Sequence, residues 1–216
     1  VSSPAQTQAT EHFEKDTEGF VLTVLHEAGE YRHLRFGKPG ERWGSTDIHT
    51  WPHGVATSGD MADGWVFERG LGFFGGKGPN LSYWREKLAR TVRGSESEFS
   101  GAALRATLAE QAEQYDVPEW CATAFAEALD ELASEIEASH ADITAAQTAL
   151  AEFVFEYADD GHGDVDLRFS DTYEMDVEDY SFHFVWVCLV LNTVARWLDA
   201  GDERVIRTEP VAAVTP

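Results

Sequence analysis

The chain has 216 residues, 43% hydrophobic and 12% aromatic, with 39 Asp and Glu against 16 Lys and Arg, a formal charge of −23. Residues 1–94 hold 12 acids and 11 bases, whereas residues 95–216 hold 27 acids and 5 bases. Charge of that sign excludes nucleic-acid binding by simple phosphate attraction, and seven Trp in so aromatic a chain exclude an acidic disordered protein.

In chain order, residues 1–19 are a polar segment, weakly helical over 8–16, with no apolar stretch of signal-peptide length. Residues 20–94 read as an antiparallel sheet. Residues 20–26 are β-branched and apolar, and 31–36 alternate between two faces. Residues 43–51, 55–58 and 65–67 follow as strands after short Gly- and Pro-containing turns, which implies a meander. A short helix over 83–88 is capped by Asn80 or Ser82. Residues 95–202 read as an acidic helical region of the same domain. A first helix spans 101–115. Asp116-Val-Pro-Glu119 has the chemistry of a second helix start, and the stripe Trp120, Ala124, Phe125, Ala128, Leu129, Leu132, Ile136 follows it. Asp142 caps a third helix, whose stripe runs through Ile143, Leu150, Val154 and Tyr157. Residues 159–166 form an acidic Gly-containing loop, and 165–169 a short strand. Residues 181–199 are apolar on nearly every face and predict the central buried helix. Residues 203–216 have no periodicity and read as a mobile tail. The fold class is α+β: an N-terminal antiparallel meander packed against C-terminal helices. The longest apolar run has eight residues, where a membrane span needs about 20. Cys121 and Cys188 read as buried free thiols, which suits a reducing compartment, with a disulfide between them as the alternative.

The catalytic motifs are thin. Gly70-Leu-Gly72-Phe-Phe-Gly75 matches the dinucleotide fingerprint in letters only. The Gly76-Lys-Gly-Pro79 that follows cannot open the helix that would face a pyrophosphate, so it reads as a turn. Asp159-Asp-Gly-His-Gly-Asp-Val-Asp166 lacks the Gly and the closing Glu of a calcium loop and reads as a solvated acidic loop. His33, Asp47, His49, His53 and Asp60 lie in the sheet region. They are the place for an enzymatic acid–base site, although their spacing matches no zinc pattern. No cofactor or metal is implied.

The acidic helices carry the strongest signal. Glu127, Glu131 and Glu135 recur every four residues with Asp130 beside them, and Glu152, Glu156 and Asp160 repeat that spacing. Four helical residues rise about 6 Å, so each set would be a ladder of carboxylates. A helix selected for stability places cations at i+4; like charges there cost about 0.2–0.5 kcal/mol per pair. Such a surface attracts a basic partner.

Tyr31-Arg-His-Leu-Arg-Phe36, Thr50-Trp-Pro-His53, Ser58-Gly-Asp-Met61, Val66-Phe67, Tyr83-Trp84 with Glu86-Lys-Leu88, and Phe182-His-Phe-Val-Trp186 with Cys188 resemble a family of bacteriophage and prophage proteins with no established activity. The likeness covers about residues 20–90 and 165–198. It implies a phage accessory protein acting in the host cytoplasm, and carries no catalytic residues. The expectation is a non-enzymatic acidic protein that binds a basic host protein through Glu127, Asp130, Glu131, Glu135, Glu152, Glu156 and Asp160. Its narrower form is DNA-like charge mimicry against a defence or nucleic-acid-handling factor. The alternatives are an enzyme using the His/Asp set, or a virion or assembly component.

Overall fold

The computed structural model describes residues 3–62, 64–159 and 163–207. In chain order the elements are α1 (Pro4–Asp16), β1 (Val21–Ala28), β2 (Tyr31–Gly37), β3 (Thr46–Trp51), β4 (Gly54–Gly59), β5 (Val66–Phe67), a 3-10 turn (Leu71–Phe74), α2 (Leu81–Arg85), β6 (Ser97–Phe99), α3 (Gly101–Gln114), α4 (Ala122–Ala138), α5 (Ile143–Glu152), β7 (Val154–Asp159), β8 (Gly163–Arg168), a second 3-10 turn (Thr172–Glu174), β9 (Glu178–Tyr180), α6 (Phe182–Ala200) and β10 (Val205–Arg207). They make an α+β fold of two compact units. Unit 1 is Val1–Glu96 with Tyr180–Pro216, and unit 2 is Ser97–Asp179.

Unit 1 is built on the predicted meander. β1 to β5 are successive antiparallel neighbours. The period-two pattern turns Leu22, Val24, Leu34, Phe36, Ile48 and Val55 inward, each buried. Gly29, at φ +64°, makes the tight β1–β2 turn that a Cβ would strain. α6 lies in this core: Phe184, Val187, Cys188 and Leu191 are fully buried. Ser181 Oγ accepts from the Phe184 N–H, and Gly201, at φ +60°, ends the helix. α1 is a full helix, capped by Ser3 with Pro4 in its first turn. Its stability comes from burying Ala9 and Phe13, which weak amphipathicity does not announce. The expected mobile tail gives way at β10, which pairs parallel to β1 with Leu22 opposite Val205. Three residues are too short for a periodicity signal. Residues 208–216 lie outside the described residues.

Within unit 1 the chain leaves at Glu96 and returns near the same point, since the Ser181 N–H donates to the Glu96 carbonyl at 2.9 Å. The intervening unit 2 has its own core, formed by Leu104, Leu108, Phe125, Leu129, Ile136, Leu150 and Phe155 among others. α5 begins where predicted, with Asp142 Oδ1 accepting from the Ala145 N–H at 2.8 Å.

Two expectations in unit 2 are corrected. α4 starts at Ala122, behind Cys121, and Asp116 caps nothing. Tyr115 is extended, its hydroxyl donates to the Arg168 carbonyl at 2.8 Å, and its ring packs on Phe125 and Phe169. That packing holds 115–118 out of a helix, and a turn closed by the Cys121 N–H on the Pro118 carbonyl follows. The third helix ends at Glu152 rather than continuing to Tyr157. Val154-Phe155-Glu156-Tyr157 alternates and is rich in β-formers. It forms β7, which pairs antiparallel with β8, Phe155 opposite Leu167 and Tyr157 opposite Val165.

Candidate functional site

Unit 2 holds 22 acidic residues against Arg105 and Arg168, a formal charge of −20 out of the chain's −23. α4 organises part of that charge. Its inward side carries Phe125, Leu129, Ala133 and Ile136, all buried. The opposite side carries Glu127, Glu131 and Glu135, all exposed and with no ion pair among the described residues. Asp130 is placed differently. Arg105, on α3, donates from Nη1 to Asp130 Oδ1 at 2.6 Å, and from Nε and Nη2 to the two oxygens of Glu137 at 2.9 Å each. Nη2 also reaches Ser134 Oγ at 3.3 Å. This fork joins α3 to α4. Hydrogen bonds from Arg105 hold the Glu137 carboxyl below its ordinary value. Asp130 is therefore half-committed inside the unit, and the free row is the other three.

The second predicted ladder does not form on a helix. Glu152 is exposed at the end of α5, and Glu156 is exposed on β7. Asp160 lies outside the described residues. Instead, the outer side of the β7–β8 hairpin sets Glu156 directly across from Asp166, with Asp164 two residues away. Like charges directly opposed on neighbouring strands are destabilising. Arg168 answers Asp166 at 3.3 Å. Asp164 and Asp166, expected in a solvated acidic loop over 159–166, lie instead on β8. The Asp164-Val-Asp166-Leu-Arg168 alternation is the signal that finds them.

The sheet set divides. β2 and β3 are in register His33 to His49 and Arg35 to Asp47. The imidazoles of His33 and His49 stack with centroids 4.3 Å apart. Arg35 holds Asp47 through two hydrogen bonds of 2.7 and 2.9 Å, which keep the Asp47 carboxyl below its ordinary value. His33 Nε2 stands 3.7 Å from Asp47, is sealed from solvent and has no hydrogen-bond partner among the described residues. Burial pushes the His33 imidazole down, the charge of His49 adds to this, and Asp47 opposes both. His53 sits apart, exposed in the β3–β4 turn at φ +66°. Asp60 accepts from the Gly44 N–H at 2.7 Å. Asp47 is thus neutralised by arginine rather than available as a base, and the described residues contain no group of three or more His, Cys, Asp or Glu able to hold a metal ion. Arg35, Asp47 and Asp60 share the wall of a shallow cavity of about 330 Å³ with Arg42, Trp43 and Ser45.

The Gly70–Gly75 motif is a 3-10 turn whose Leu71 and Phe74 are buried in the core of unit 1. The next helix, α2, starts only at Leu81, after the non-helical residues 76–80, so the motif does not open a helix. Both cysteines are free and buried, and no helix among the described residues is long and apolar enough to cross a membrane.

Comparison of the chain with known protein families, with curated proteins and with solved structures finds no match.

Proposed function

We propose that the chain is a non-enzymatic accessory protein, of the phage type it resembles, that binds a basic protein of the host cell through the anionic surface of unit 2. One observation carries the reading: a formal charge of −20 is gathered in Ser97–Asp179, and the Glu127, Glu131, Glu135 row has no cation at i±4. A helix that keeps three mutually repelling carboxylates gives up stability that Lys would restore. A basic partner supplies the missing countercharge and gains on-rate from the field. DNA-like charge mimicry against a host defence or nucleic-acid-handling factor is a narrower form of the same reading, in which duplex DNA competes with the protein for its partner.

Capture from bacterial lysate on the immobilised full chain, with the bound proteins identified, tests this. The expected result is recovery of basic proteins that elute in 1 M NaCl, where the Debye length is about 3 Å. Recovery should be lost from the triple variant Glu127→Lys, Glu131→Lys, Glu135→Lys. Undiminished recovery by that variant refutes the surface assignment.

A further inference from the structure

Unit 1 contains a second cavity, of about 510 Å³, between the end of α1, the β2–β3 loop and the β4–β5 loop. That volume lies within the range of small-ligand sites. Its floor is aromatic and fixed. Phe20 and Trp186 are buried. Trp186 is wedged between Phe13, at 5.2 Å, and Phe182, at 5.8 Å, and Phe20 leans on Phe36 at 5.2 Å. Met61 completes the floor. The outer wall is Trp43, 86% exposed and the most exposed large apolar side chain among the described residues.

Trp43 is held by its backbone although its indole is bare. Gly44 takes φ +70°, its N–H donates to Asp60, and both the N–H and the hydroxyl of Ser45 donate to the Arg42 carbonyl. The loop therefore fixes the backbone from which the indole projects at the edge of the aromatic floor.

The rim decides the ligand's charge. Asp16, Glu18, Glu41 and Asp60 line the cavity against Lys15 and Lys38, an excess of two carboxylates. None of the six has an ion pair among the described residues. An anion entering would meet that excess. A neutral apolar ligand would gain nothing from four carboxylates. An organic cation answers both features: the indole face of Trp43 attracts it through the ring quadrupole, and rim carboxylates neutralise it.

We propose that this cavity binds an organic ammonium group, alkylated enough to rest on the indole of Trp43 and against the apolar floor. The inference is independent of the acidic surface of unit 2. Such a group comes either from a free small molecule, such as a quaternary amine, or from a lysine side chain of a protein.

Titration calorimetry and tryptophan fluorescence on the full chain test it. The probes are choline, its neutral isostere 3,3-dimethylbutan-1-ol, AMP, and a short peptide carrying trimethyl-lysine. Choline or the peptide should bind saturably, with the isostere weaker by about five-fold or more. Trp43→Ala should weaken binding by about ten-fold while leaving the melting temperature unchanged, because so exposed a side chain supports little of the fold. Trp43→Phe should restore part of the loss. Tighter binding of choline than of the peptide assigns a free amine, and the reverse order assigns a protein side chain. The proposal is overturned if neither cationic probe binds, if the isostere binds equally well, if AMP binds more tightly, or if Trp43→Ala binds unchanged.

Discussion

Glu131→Lys separates the two explanations of the acidic row, charge kept for a partner and charge of no consequence. Glu131 is exposed in the middle of α4, four residues after Glu127 and four before Glu135. It therefore takes part in two like-charge pairs, each costing about 0.2–0.5 kcal/mol, and Lys at 131 turns both into attractions of similar size. Glu and Lys have nearly equal helix propensity, and a mid-helix position lies outside the reach of the terminal partial charges. No packing is lost. The variant should be more stable by about 1–2 kcal/mol at low salt, a rise of about 2–8 °C in melting temperature for a chain this long. The gain should disappear in 1 M NaCl, where the Debye length is about 3 Å. Calorimetric melting at low and high salt measures it. Capture of basic protein by the same variant should fall. A variant no more stable than the parent at low salt, or a gain that survives high salt, would show that the row is not self-repelling and would remove the physical basis of the proposed function.

Other outcomes follow from the cores and the sheet. Asn192, buried on α6, donates to the Phe74 and Gly76 carbonyls at 2.7 and 3.0 Å; Asn192→Leu should cost about 2–4 kcal/mol by stranding these acceptors, seen as an earlier chemical-denaturation midpoint. Ellman's reagent should label neither Cys121 nor Cys188 in the native protein and both in guanidinium, because both thiols are buried and burial pushes the Cys188 thiol well up. His33 should titrate by NMR with a midpoint below 6.5. His49→Gln should raise that midpoint by removing a like charge, and Asp47→Asn should lower it further. Because its folded pKa is the lower one, the unfolded chain takes up this proton first. The stability contributed by neutral His33 is complete above pH 6.5 and is lost as the pH falls through its folded midpoint.

Features written in one stretch of chain were legible in the sequence. The strands from 21 to 59, the Asp142 cap and the buried helix after Ser181 each need only local alternation, a capping side chain or an apolar run. Features that depend on a distant partner were not. Val154 to Tyr157 continues a helical stripe in spacing and becomes a strand because β8 lies beside it. Asp116 has the chemistry of a cap but loses the position to the packing of Tyr115. Asp130 looks like its neighbours in the row and differs only because Arg105, 25 residues earlier, reaches it. Among the sheet candidates, cross-strand register selects His33, Asp47 and His49 as a group, and no spacing rule contains that register. Trp43 is one of seven tryptophans in the sequence; its exposure emerges only with the loop that carries it.

The hydrogen bond between Glu96 and Ser181 has a meaning for how this molecule can be altered. Seen from unit 1, all of Ser97–Asp179 is one loop whose two ends already meet. Loop-closure entropy grows only logarithmically, by about 0.6 kcal/mol per doubling of length, so the length of that loop adds little to the entropic cost of closing it. Four-fifths and more of the molecule's net charge thus sits in one insertion that leaves and rejoins unit 1 at a single point. Substitutions that change that charge leave every residue of the meander and of its aromatic cavity untouched.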